Sequence, residues 1–278
     1  MKNDAVKNYW NTVSKGLPFD KKDHWLDESC NPLDAELFQE IADYLANSNN
    51  LIEHAGRGRR RILEVGCGTG RIVSNLELLC PDYEIVGIDF SEEQILAAQS
   101  ICFDSNLFCC DISEYEKKYF SKQKGEFDLI FLHSVTQYFP SDDYLMEFLN
   151  CSYRMLKTGG DLILIDCPVD WYLEDMKSKP QVTLLSIIKS NIRFLIPKSI
   201  LSLIRRFKAN SVDGYVVESF GDIELRVPIF DGFWINPESI QDYSERYFNS
   251  FQMLFQPFKH KPIRYKKFRP IFQLLGKI

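Results

Sequence analysis

One ten-residue stretch limits this chain more than any other: Ile62-Leu63-Glu64-Val65-Gly66-Cys67-Gly68-Thr69-Gly70-Arg71. A short apolar strand candidate, Arg61 to Val65, reaches an acid near its end, meets glycine at every second position, and passes into a helix that runs through Leu79. Glycine accepts backbone conformations closed to other residues and lets the chain approach a ligand with no Cβ in the way. A strand, a tight loop and a helix in that order form the opening unit of a doubly wound α/β sheet. Two familiar glycine loops are excluded by spacing. The third glycine of G-x-G-x-x-G would fall on Arg71, and no Gly-Lys-Ser/Thr follows as a phosphate loop requires.

The same alternation continues downstream. Glu84 to Ile88, Leu107 to Cys110, Phe127 to Leu132 and Asp161 to Asp166 read as strands, short and continuously apolar, as expected when helices cover both faces of a parallel sheet. Between them, Ser91-Glu92-Glu93-Gln94 reads as a capping box that opens a helix through about Ile101. A further helix spans about Asp142 to Leu156. Residues 1 to about 60 read as helical, with Phe38, Ile41, Ala42 and Leu45 on one face and Asn31-Pro32 at the start. After Pro168 the rhythm changes. Leu184, Leu185, Ile188, Ile192 and Leu195 fit one helical face, and Ile200, Leu203, Ile204 and Phe207 fit another beyond Pro197. Pro237 opens a helix through about Tyr247, and Phe251 to Phe258 and Tyr265 to Leu275 read as closing strands. The expected organisation is an N-terminal helical cap (1–57), a cofactor-binding core (58–170), a helical insertion after the fifth strand (171–220) and a C-terminal completion of the sheet (221–278).

In open α/β sheets ligands bind beyond the carboxyl ends of the strands, so the residues at those ends converge on one crevice. Asp89 ends the second strand, about 20 residues beyond the glycine loop, where a carboxylate suits a ribose diol. Asp111 and Ile112 follow the third strand; the acid suits an exocyclic amine and the apolar side chain a ring face. The fourth strand ends in His133, whose imidazole titrates near neutrality and suits accepting a hydroxyl proton; its backbone alone facing the ligand is the other reading. Gln137 and Tyr138, in the same loop, are positioned to hydrogen-bond an acceptor or to pack the loop. Asp128 reads as an anchor for its strand, and Cys67 as a small residue filling a tight slot.

Taken together, these motifs resemble those of the class I S-adenosylmethionine-dependent methyltransferases, closely over residues 58–168 and loosely beyond. The acidic-x-Gly-x-Gly-x-Gly motif falls on Glu64, Gly66, Gly68 and Gly70, the ribose acid on Asp89 with Phe90 flanking the adenine, and the adenine-side acid on Asp111. The fourth-strand motif falls on Phe127-Asp128-Leu129-Ile130, with His133 beside the methionine moiety, and Leu156-Lys157-Thr158-Gly159-Gly160 matches the turn before the fifth strand. The resemblance implies a mostly parallel seven-stranded sheet, S-adenosylmethionine as cofactor, no metal, and transfer of a methyl group to a small molecule. A hydroxyl of a sugar, glycan precursor or secondary metabolite is the expected acceptor; a lipid-linked or quinone-like acceptor at a membrane surface and a non-catalytic cofactor-binding regulator are the alternatives. Asn8-Tyr9-Trp10-Asn11 is similar to the cap segment of small-molecule enzymes of this class, which places Tyr9 and Trp10 over the acceptor site or in aromatic packing.

Composition narrows the partners. A net charge of −6 disfavours a general nucleic-acid binder. The Asn/Asp-Pro-Pro-Tyr/Phe motif of nucleic-acid amino-methyltransferases is replaced by His133-Ser134-Val135-Thr136. Eight cysteines without a C-x-x-C pair, after an N-terminus with no signal-peptide pattern, agree with a cytoplasmic address. Residues 183–208 carry six basic side chains and no acidic one, which suits an acceptor lid, a homodimer contact or peripheral membrane contact.

Overall fold

The computed structural model describes residues 7, 10–11, 25–26, 32–33, 35–47, 60–120, 125–170, 215–220, 223–228, 233–258 and 269–278. In chain order the elements are β1 (Trp25–Leu26), β2 (Pro32–Leu33), α1 (Ala35–Ala46), β3 (Arg60–Val65), α2 (Arg71–Leu79), β4 (Tyr83–Asp89), α3 (Glu92–Ala98), β5 (Asn106–Cys109), α4 (Ile112–Tyr119), β6 (Phe127–His133), a 3₁₀ turn (Thr136–Tyr138), α5 (Asp142–Met155), β7 (Leu156–Ile165), β8 (Tyr215–Phe220), β9 (Ile223–Pro228), α6 (Pro237–Tyr247), β10 (Phe248–Leu254) and β11 (Ile271–Lys277).

Seven strands form one sheet in the order β10-β11-β7-β6-β3-β4-β5. Five are parallel: β3 pairs with β4 on one side and β6 on the other, β4 with β5, and β6 with β7. β11 inserts antiparallel beside β7 and carries β10 antiparallel on its far side. The sheet is therefore doubly wound and mostly parallel, as the alternation of strands and helices predicts.

Both sheet faces are buried, and this explains the continuous apolar runs. Leu63, Val86, Ile130 and Leu162 pack on one face with Tyr115 of α4, Phe148 of α5 and Ile240 of α6. Ile62, Ile85, Leu129 and Ile163 pack on the other with Ile41 of α1, Leu76 of α2 and Ile95 of α3. Neighbours along a strand point to opposite faces, so every position must be apolar when helices cover both. At the opposite end of the sheet from the glycine loop, Asp128 Oδ2 accepts from Arg61 N at 2.7 Å and from Lys157 Nζ at 2.8 Å. Asp128 is thus an anchor, tying three adjacent strands together.

Several local expectations are corrected. Pro32 lies in β2, which pairs with β1, and the helix carrying Phe38 and Ile41 begins at Ala35. β7 begins at Leu156, immediately after α5, so Lys157-Thr158-Gly159-Gly160 is strand and not a turn, with Gly159 at φ 84°. Residues 215–220, assigned to the helical insertion, form β8 and pair with β9 in a separate two-stranded sheet. The closing strands are Phe248–Leu254 and Ile271–Lys277. The amphipathic stretch 183–208 lies outside the described residues. No described helix is long and apolar enough to cross a membrane.

Candidate functional site

The carboxyl ends of β3, β4, β5 and β6 open on the same side of the sheet, because these strands are parallel. β3 lies at the point where the chain order reverses: β4 and β5 extend one way, β6 and β7 the other. A crevice forms at such a switch point. Here it is floored by the loop after β3.

The three glycines of that loop all adopt left-handed backbone, with φ of 73° at Gly66, 54° at Gly68 and 76° at Gly70. Their surroundings differ. A Cβ on Gly66 would lie 2.5 Å from Val135 Cγ2, and one on Gly70 would lie 2.6 Å from Cys102 Sγ and 2.9 Å from Ala98 Cβ. These two positions let the loop pack against the turn after β6 and against α3. A Cβ on Gly68 would meet only Gln94 Oε1 at 3.8 Å. Gly68 faces the crevice, which makes it the backbone a ligand can approach.

Asp89, at the end of β4, holds the loop in place. Its Oδ2 accepts from Gly68 N at 3.0 Å and its Oδ1 from Ser91 N at 2.8 Å. Burial outweighs these two N–H groups and raises the carboxyl to about 6. Ser91 Oγ accepts from Gln94 N at 3.3 Å, as expected of an N-cap. The reciprocal half of the expected capping box is replaced, since the Ser91 N–H goes to Asp89. Gln94 is thereby left to line the crevice, buried, with Oε1 accepting no hydrogen bond. A full capping box forms one element later instead: Asp111 Oδ1 accepts from Glu114 N at 2.8 Å, and Glu114 Oε2 accepts from Asp111 N at 3.2 Å.

Glu64 is 2% exposed. The Val73 N–H donates to its carboxyl, and its Oε2 accepts no hydrogen bond. Burial, and then the Asp89 charge, raise its pKa well above the usual carboxylate range. Cys67 is buried as well, and desolvation pushes its thiol up, so it fills a slot without thiolate character.

Two adjoining cavities occupy the crevice and share Gly66, Asp89, Phe90, Val135 and Tyr138 as walls. The first extends toward Cys110, Asp111, Ile112, Tyr144 and Phe148, with Lys7 at its rim. The second extends toward Glu64, Gly68, Arg71, Gln94 and His133, and is closed by the rings of Trp10 and Phe38. His133 is buried, and its ring meets Phe38 edge-on with centroids 6.3 Å apart. Trp10 meets Tyr138 edge-on at 5.6 Å. Asn11 Oδ1 accepts from Ser91 Oγ at 2.6 Å, so this part of the N-terminal segment docks on the start of α3. Among the expected site residues, Glu64, Gly66, Gly68, Asp89, Phe90, Asp111, Ile112, His133, Trp10 and Tyr138 all line these cavities.

Gly70 and Gln137 line neither cavity. Gly70 is the N-cap of α2 and serves packing. Gln137 is taken up by a buried polar network. Its Oε1 accepts from Arg269 Nη2 at 2.9 Å, and its Nε2 donates to the Ser134 carbonyl. Asp166, fully buried, completes the network by accepting from Ser134 Oγ at 2.6 Å and from Gln256 Nε2 at 2.8 Å. Ser134 and Asp166, at the ends of β6 and β7, are the described non-glycine residues with positive φ, 59° and 64°. Gln137 thus braces the turn that carries Tyr138. Tyr9, His24, His54 and His260 lie outside the described residues. No group of His, Cys, Asp or Glu suited to a metal ion occurs among the described residues.

Sequence reasoning did not single out Arg71, Gln94, Phe38 or Val135 as lining residues. Arg71 directly follows the third glycine and opens α2, a position that faces the loop. Gln94 and Phe38 carry no motif signal, because periodicity accounts for both as helix residues.

Comparison with known proteins places these features in context. Residues 63–162 match the family model described as a methyltransferase domain. Chondramide synthase cmdD of Chondromyces crocatus is 33% identical over 114 residues, which are 39% of this chain and 3% of that protein. Malonyl-(acyl-carrier protein) O-methyltransferase 1 of Ilyobacter polytropus is 28% identical over 130 residues, 45% of this chain and 44% of that one. The chain thus spans less than half the length of these curated relatives. Among solved structures, that of Streptomyces venezuelae DesVI aligns with a TM-score of 0.51 at 12% identity, over 86% of this chain and 91% of that one, a likeness of fold.

Proposed function

We propose that the class I, S-adenosylmethionine-dependent methyltransferase domain carried by residues 63–162 moves a methyl group to a hydroxyl of a small molecule such as a sugar, a glycan precursor or a secondary metabolite. The observation that carries this reading is the loop of Gly66, Gly68 and Gly70. One glycine, Gly68, faces the second cavity, and two buried carboxyl groups, Glu64 and Asp89, line that cavity with it. The fit to S-adenosylmethionine is chemical. Asp89 and Phe90 stand where a ribose and an adenine face would lie, and Asp111 and Ile112 extend the first cavity for the base. Glu64, Gly68 and Arg71 line the second, where an amino-acid moiety would find both an acid and a guanidinium.

The bound cofactor supplies a methyl group already activated on sulfur. What remains for the protein is alignment of an acceptor lone pair and exclusion of water, which is mainly proximity and orientation. Trp10, Phe38 and Tyr138 give the second cavity an aromatic wall that excludes water and offers flat faces to an apolar or ring-shaped acceptor. His133 lines the same cavity and is the group suited to take the hydroxyl proton on its ring. The name of the relative from Ilyobacter polytropus, an O-methyltransferase, favours oxygen as the acceptor atom.

Calorimetry with S-adenosylmethionine tests the cofactor, and absence of binding would reject the reading. Methyl-labelled cofactor offered with panels of hydroxyl compounds tests the acceptor class. With an acceptor in hand, His133→Ala should lower turnover by roughly 10²–10⁴-fold while cofactor affinity changes little. An His133→Asn variant with near-normal turnover would show that alignment alone suffices.

A further inference from the structure

Among the described residues, Glu64 is the one buried carboxylate of the crevice with an oxygen left unsatisfied. It is 2% exposed, Oε2 accepts no hydrogen bond, and the side chain lines the second cavity. Asp89, its neighbour, receives two backbone N–H groups. An ionised carboxylate in such a place is costly unless a cation compensates it. The charged and titratable groups facing Glu64 come from every element around it: Asp89 at the end of β4, Cys67 in the loop, Cys102 after α3, Arg71 at the start of α2, and His133 at the end of β6. Of these, the Asp89 carboxylate disfavours a second negative charge there, while the Cys67 and Cys102 thiols, pushed up by burial, stay neutral.

We propose that Glu64 stands as a neutral carboxylic acid in the ligand-free protein, releases its proton to solvent when a cationic ligand enters the second cavity, and thereby makes the site select ligands by positive charge. The inference rests on the S-adenosylmethionine reading and adds a coupling that this reading does not require. The Glu64 O–H bond breaks, a buffer base takes the proton, and the ligand's positive charge replaces it, so the site keeps its net charge. Burial and the Asp89 carboxylate push the Glu64 pKa well up, consistent with the neutral form before binding. S-adenosylmethionine carries a sulfonium and an ammonium; 5′-methylthioadenosine, which lacks the amino-acid part, carries neither.

Titration calorimetry of the full chain at a series of pH values, in buffers of different ionisation heat, counts the protons exchanged. Below the ligand-free pKa of Glu64, S-adenosylmethionine should release a proton from the wild-type protein, and 5′-methylthioadenosine none. Cofactor affinity should rise with pH, by up to about tenfold per pH unit below the ligand-free pKa of Glu64. In Glu64→Gln both the proton release and this slope should vanish. An infrared difference spectrum of the wild type should lose a protonated-carboxyl band on adding S-adenosylmethionine, a readout that needs no variant. Binding without proton release, or release that persists in Glu64→Gln, would overturn the proposal and leave the cofactor reading standing. No binding of S-adenosylmethionine by the wild type would overturn both.

Discussion

At the scale of single residues, the glycine loop separates into two kinds of glycine that the motif writes alike. Gly70→Ala must push Cys102 and Ala98 aside in addition to holding left-handed backbone. It should lower stability by more than the roughly 1–2 kcal/mol of the backbone cost alone, read from a urea unfolding midpoint. Gly68→Ala meets no such obstacle and carries the left-handed backbone cost alone, so it should lose only about 1–2 kcal/mol in the same assay, and its distinguishing effect should appear in calorimetry, as weaker S-adenosylmethionine binding. A second prediction concerns pH. Glu64 has a folded pKa above its unfolded value, so its proton favours the folded state at low pH and that contribution disappears as pH rises through the folded pKa. Ligand-free wild type should therefore lose thermal stability relative to Glu64→Gln as pH is raised from the ordinary carboxylate pKa, about 4.3, up through the folded pKa, checked by parallel melting curves. The motif residues were legible in the sequence because each sits at a strand end, where position and chemistry are read together. The direction of the Gln137 amide was not legible for a physical reason: its partner Arg269 is remote in sequence, and nothing local reveals which way an amide turns.

Among elements, the parallel strands and their helices were legible because burial on both faces writes itself as continuous apolar sequence. β8 and β9 were not, since 215–228 follows a long amphipathic stretch and joins no strand of the main sheet. The position of β11 was also hidden, because its pairing with β7 is set by contacts across a long stretch of chain rather than by its own pattern. The turn after β6 depends on a similar long-range tie. Asp166 links the end of β7 through Ser134 to that turn, and Gln256 and Arg269 reach it from the segment between β10 and β11. Asp166→Ala should cost about 3–5 kcal/mol, the range for removing one partner of a buried charged pair. It should also release the turn that carries Tyr138. Denaturant unfolding measures the first effect. Increased amide exchange confined to residues 134–139, under conditions where the rest of the sheet stays protected, measures the second.

For the molecule as a whole, the cavities form from the parallel strands, yet the sheet that holds those strands is finished by residues far outside the matched domain. A fragment of residues 58–170 contains every strand that borders the crevice. It should nonetheless elute as aggregates in size-exclusion chromatography, because removing β10 and β11 uncovers the apolar edge of β7 at Leu162, Ile163 and Leu164. The place of β11 between β7 and β10 also sets an order of assembly. β3, β4 and β5 join through short crossovers and can gather early, whereas β11 finds β7 only after a long loop closes, which is entropically slow. Until it does, the half-built sheet offers an unclaimed row of hydrogen-bonding groups beside three fully buried aliphatic side chains. Soluble yield is then decided by how fast a two-stranded hairpin docks, at a point in the molecule remote from its chemistry, and strengthening the β10–β11 pairing should raise that yield while leaving ligand affinity untouched.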